Sequence, residues 1–153
     1  MKAPQSDELK DFLVSRQQHA PANENGGKER RREWVAAIKR LYQKVTCELL
    51  AESIAQGLVT VSRDQKEITE ECLGTYRVPE LVLVIGGETV RFSPKGRNII
   101  GAQGRVDLVG ELDTMTLVLD PAEDWNIVLS RVPRRAVALD GKTLADALRR
   151  VMR

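Results

Sequence analysis

From Tyr76 to Leu139 the chain is a succession of short β-type runs with turn residues between them and no helical spacing. That pattern predicts an antiparallel sheet built from consecutive strands. Leu81 to Ile85 is a β-branched run that stops at Gly86-Gly87, and Thr89 to Phe92 resumes directly after it as the return strand of a hairpin. Ser93-Pro94-Lys95-Gly96 reads as a turn, Asn98 to Ile100 as a short strand and Gly101 to Gly104 as another turn. Arg105 to Val109, Met115 to Leu119, Trp125 to Leu129 and Ala136 to Leu139 continue the series. Upstream, Leu58 to Val61 alternates as a strand should, and Lys66 to Cys72 supplies a polar-faced neighbour. The sum is a meander of about seven short strands, within the usual size of one sheet. Glycines at the strand ends suit a strongly bent sheet or partial barrel.

Helical spacing appears on either side of this block. Trp34, Ile38, Leu41, Val45 and Leu49 recur at steps of three and four, which predicts a long helix from Glu29 to Gln56 stopped by Gly57. The stripe is narrow and close to heptad spacing, so it suits either docking across a sheet or pairing with another helix. A closing helix over Lys142 to Met152 carries Leu144, Ala147, Leu148 and Val151 on one side, with Arg149, Arg150 and Arg153 complementing its dipole. At the amino terminus Ser6 caps a short helix ending near His19, on which Leu9, Phe12 and Leu13 share a face. Ala20 to Lys28 reads as a linker, with Pro21 and Gly26-Gly27 breaking the pattern. The expected organisation is residues 1–28 as helix plus linker and 29–153 as one α+β domain.

At 153 residues the chain is long enough to bury a core without staples. Aromatic residues make up only 4%, so aliphatic side chains must fill that core. Cys47 and Cys72 stand far apart with no Cys-x-x-Cys pattern, and the longest apolar run, Leu81 to Ile85, is far too short to span a membrane. With no leader pattern at the start, these features predict a cytoplasmic protein.

Net charge is only +2, but the charge is unevenly distributed. Arg91 to Arg105 holds four basic residues and no acid; Val106 to Asp124 holds six acids and no base. Arg91, Lys95, Arg97 and Arg105 on glycine-rich hairpins are candidates for a phosphate or nucleic-acid site, because cationic donors and close backbone N–H groups suit an anion. The segment matches neither a P-loop nor a dinucleotide fingerprint, and Phe92 and Trp125 are the nearest aromatics available for base stacking. Pairing of these cations with the acidic stretch is the simpler account, and Arg105 and Asp107, two apart on one strand, are set to pair.

Asp107, Glu111, Asp113, Asp120, Glu123 and Asp124 are the residues on which a metal-dependent hydrolase would have to rely, but their spacing distributes them over two turns. His19 lies beside the linker, and Ser62, Ser93 and Ser130 lack a Gly-x-Ser-x-Gly context. The residues therefore predict a non-catalytic domain without cofactor or metal, working by protein binding or self-association. Its interface would be the helical stripe (Trp34, Ile38, Leu41, Val45, Leu49) and the front helix (Leu9, Phe12, Leu13). Nucleic-acid or phosphorylated-ligand binding is the alternative, and a metal-dependent hydrolase the third reading.

Overall fold

The computed structural model describes residue 9 and residues 28–70, 73–96, 104–131 and 133–153. The predicted linker, Ala20 to Lys28, lies outside these apart from Lys28, which begins the first helix; so do the strand at 98–100 and the front helix apart from Leu9. A first helix, α1, covers 28–43. Trp34, Ala37, Ile38, Leu41 and Tyr42 share the face that meets the sheet, each at most 1% exposed. The periodicity that predicted the helix is therefore the periodicity of its buried side.

The helix does not run unbroken to Gln56. Over Lys44–Leu49 it widens into a π-helical turn, with the Leu50 N–H donating to the Val45 carbonyl at 2.8 Å, and Leu50 leaves helical geometry. The hydroxyl of Thr46 donates back to the Tyr42 carbonyl at 2.8 Å, a competition that loosens an α-helical ladder. A separate turn, α2, follows at Ala51–Ala55. The extra residue re-aims the stripe, so that Val45 is fully buried while Leu49, Leu50 and Ile54 pack at the margin of the core.

Seven strands follow: β1 Val59–Glu70, β2 Gly74–Ile85, β3 Glu88–Gly96, β4 Gly104–Val109, β5 Thr114–Leu119, β6 Trp125–Arg131 and β7 Arg134–Ala138. Each pairs antiparallel with its sequence neighbour, giving one open sheet in the order β1 to β7. Leu81, Leu83, Val90, Phe92, Val106, Leu108, Leu117, Leu119 and Ile127 alternate onto the core side. Both Trp34 and Trp125 belong to that core, with ring centroids 5.9 Å apart, and the Trp125 indole donates to the Ala37 carbonyl at 3.2 Å.

The first two strands are much longer than the runs expected from sequence. The two strands expected at Leu58 to Val61 and Lys66 to Cys72 are not neighbours but parts of the single strand β1, continuous through Glu70, and β1 and β2 pair without a break from Val59↔Ile85 to Glu70↔Gly74 although Pro79 carries no N–H. The hairpin rotates as it goes. Val59, Val61, Leu81 and Leu83 face inward in its first half; Ile68, Tyr76 and Val78, of the opposite parity, join the core in the second. Pairing of β2 with β3 ends at Leu81↔Phe92, so Pro79 sits where β2 parts from β3 and no ladder bond is lost to it. The buried Tyr42 hydroxyl fills this fork, within 2.6 Å of the Pro79 carbonyl and 3.1 Å of the Phe92 carbonyl. Burial pushes the Tyr42 phenol far above the ordinary tyrosine range, with Glu80 adding to the effect.

The third strand also extends beyond expectation. Ser93, Pro94 and Gly96, predicted as a turn, pair with β4 through a register shift between Pro94 and Gly96. The final helix, α3, spans Gly141–Val151. Asp140 and Thr143 form a reciprocal capping box, each backbone N–H donating to the other's side chain at 2.8 Å. Leu144, Ala147 and Val151 close the core, and the Val151 carbonyl accepts from Leu112 N–H at 2.8 Å. The sheet stays open; β1 and β7 are its edges. Among the described residues, no helix is long and apolar enough to cross a membrane.

Candidate functional site

The helical stripe expected as an interface is occupied within the chain. Trp34, Ile38, Leu41 and Val45 are each 0% exposed against the sheet, and Leu49 packs at the core margin. Burying four such side chains stabilises the domain by on the order of 2 kcal/mol apiece, which assigns the stripe to folding. Leu9 is 48% exposed; Phe12 and Leu13 lie outside the described residues.

Two of the four basic candidates, Arg91 and Arg105, are paired with carboxylates. The Arg91 guanidinium lies 3.3 Å from Asp64 and 3.6 Å from Glu80. Arg105 forms the expected same-strand pair, with Nε and Nη2 on the two Asp107 oxygens at 2.8 and 3.2 Å, and Thr116 donates to the same carboxylate at 3.3 Å. Lys95 is exposed, and Arg97 lies outside the described residues. Phe92 and Trp125 are sealed in the core, so neither offers a face to a base.

Most of the acidic stretch has structural work. The Asp120 carboxylate accepts from Asp124 N–H at 2.9 Å and from the Asn126 amide at 2.8 Å, shaping the β5–β6 turn in which Glu123 adopts φ 65°. Asp113 and Glu111 pair with Arg150 and Arg153 of the C-terminal segment at 3.2 and 3.5 Å. The N–H groups of Asp124 and Thr114 hold the Asp120 and Asp113 carboxyls below the usual carboxylate range. Among the described residues no three metal-ligating side chains converge.

Two arrangements remain that sequence spacing did not reveal. The first is a cleft of about 330 Å³ between α3 and the last three strands, lined by Met115, Ile127, Leu129 and Val137 below and by Thr143 and Ala147 beside them. Leu129 is 49% exposed there, an apolar side chain left open to solvent. Val137 puts β7 on the cleft wall, and the outer edge of β7 has no strand partner among the described residues. By the period of two, Arg135 shares the side of Val137, and Lys142 and Arg150 stand on the helical rim. The acidic rim residue, Asp146, is held by Arg149 at 2.8 Å. Because α3 is capped at Asp140 and tied at Val151, this wall is preformed. Met115, Leu129, Val137 and Ala147 come from four elements, so only the fold assembles them.

The second arrangement lies at the hairpin fork. The Lys66 ammonium donates to the Ser93 hydroxyl at 3.0 Å and to the Pro94 carbonyl at 2.9 Å. Ser93 is opposite Asp107 in register, and both are buried, at 7% and 5% exposed. Burial, with Lys95 nearby, draws the Lys66 amine below the usual lysine range; Glu80 and Asp107 act against that shift. Compared with family models, with curated proteins and with solved structures, the chain matches none.

Proposed function

We propose that this is a cytoplasmic protein-binding module that takes up an extended, acidic-flanked segment of a partner along β7. The observation that carries the reading is a preformed apolar cleft beside a strand edge that is unpaired among the described residues. A segment adding to β7 satisfies the outward backbone groups of that edge, and its alternate side chains fall onto Leu129 and Val137. Lys142 on the rim, and Arg135 on the same side of β7 as Val137, favour acidic residues flanking the apolar ones. The same basic rims would face each other if two copies joined through β7, which argues for a different protein as occupant. An exposed free thiol at Cys47 agrees with a reducing compartment.

A random dodecapeptide display library, selected on the immobilised protein, tests the reading. Enriched sequences should alternate apolar residues and carry acids, and synthetic copies should shift the β7 amide resonances. Leu129→Glu, at a half-exposed position, should weaken them at least about tenfold, the loss of one apolar anchor. Absence of enrichment, peptides indifferent to Leu129→Glu, or a concentration-dependent dimer that Leu129→Glu dissociates would each overturn the proposal.

A further inference from the structure

The pair at the hairpin fork points to chemistry independent of the cleft. We propose that Ser93 is a nucleophile toward carboxylic esters and that Lys66 is its general base. The two residues are 27 positions apart in sequence, and it is the rotation of the β1–β2 hairpin that lays Lys66 over Ser93. Their 3.0 Å separation is proton-transfer distance, and the Pro94 carbonyl, 2.9 Å from the same nitrogen, fixes the amine in place. A nucleophile in contact with a base that a third group orients is the arrangement by which weak hydroxyl nucleophiles are activated. Burial and the neighbouring Lys95 favour the neutral amine that a base must be, with Glu80 and Asp107 tempering the effect. Arg105, paired in register with Gly96, spends Nε and Nη2 on Asp107 and carries further N–H donors beside Ser93's cross-strand partner.

In the proposed step the Ser93 hydroxyl proton passes to the neutral Lys66 amine as Oγ bonds to the ester carbonyl carbon. The carbon–oxygen bond to the alcohol then breaks, and the departing alkoxide takes the proton back from the Lys66 ammonium. Ser93 is left as an ester. Water, giving its proton to Lys66, attacks that ester; the carboxylic acid leaves and Ser93 regains its hydrogen.

The test is labelling of the folded full-length protein with a fluorophosphonate, in which a serine–phosphorus bond forms and hydrogen fluoride is released. Intact mass and peptide mapping should find one adduct on Ser93, absent in Ser93→Ala. Lys66→Arg keeps the donors to Ser93 and Pro94 but cannot accept a proton, so labelling should slow at least about a hundredfold while the circular dichroism is unchanged. In the native chain the labelling rate should rise with pH as Lys66 loses its proton. A folded native protein without an adduct on Ser93 would refute the proposal, whatever the variants do. So would an Arg variant that labels as fast as the native chain.

Discussion

Removing the Tyr42 hydroxyl tests the account of the hairpin fork most directly. Tyr42→Phe keeps the ring, which is fully buried and meets Phe92 edge-on at a centroid separation of 6.2 Å. What is lost is the hydroxyl, whose single proton is shared between the Pro79 carbonyl at 2.6 Å and the Phe92 carbonyl at 3.1 Å. The shorter contact marks Pro79 as the main acceptor. A net hydrogen bond is worth about 1 kcal/mol, and a buried carbonyl left without a donor adds a further penalty, so the expected loss is about 2 kcal/mol. For a chain of this size that corresponds to a fall in Tm of roughly 4–8 °C. Urea unfolding followed by circular dichroism should show a lower midpoint with an unchanged slope, since the surface exposed on unfolding is the same. A loss below about 0.5 kcal/mol, the level of an ordinary surface substitution, would show that the fork is open to water and that Tyr42 does not seal it.

Ile38→Asp should leave the chain unfolded in circular dichroism, because it places a carboxylate at a fully buried position; a folded protein of altered mass would instead make the stripe an interface. A Cβ at Gly110 would overlap the Val151 carbonyl, so Gly110→Ala should lower stability by about 1–3 kcal/mol and speed amide exchange at the end of α3. The Thr143 N–H holds the Asp140 carboxyl below its ordinary value, and Asp113 and Asp120 are lowered likewise. Groups depressed on folding contribute their stability above the unfolded carboxylate value and lose it as pH falls through the folded one. Urea midpoints should therefore be level from neutrality to about pH 5 and decline below about pH 4. Asp140→Asn, which keeps a capping acceptor without the titration, should flatten that decline; an equal or steeper decline would show that the cap does not contribute.

What the residues disclosed in advance were the features written in short-range periodicity. The stripe of α1, the spacing of Leu144, Ala147 and Val151, the succession of hairpins and the Arg105–Asp107 pair all follow from periods of 3.6 or 2. The polarity of Ser62 to Glu67 concealed the continuity of β1, so its two halves read as separate strands, since a hairpin that rotates about its own axis gives no single alternation to detect. Pro94 signalled a turn because proline usually does; here it and Pro79 each lie where a strand slips against or parts from its neighbour. The π-turn had no warning beyond Val45-Thr46, whose branched side chains and back-bonding hydroxyl do not by themselves specify it. Neither the α3 cleft nor the Lys66–Ser93 contact has a sequence signature, for both join residues that only tertiary structure makes neighbours.

The unbroken meander has a consequence for the order in which this fold can be made. Every strand pairs with the one synthesised just before it, so the sheet can lengthen hairpin by hairpin with little loop-closure cost. α1 is the exception. Its Tyr42 hydroxyl waits for Phe92, 50 positions on, and its Ala37 carbonyl for Trp125, 88 positions on. At a ribosome adding about 5–20 residues per second, the apolar side of that helix spends several seconds without its native cover. Early synthesis is thus the interval when this chain is most exposed to aggregation, and a chaperone acting on it would find its binding surface on the first helix.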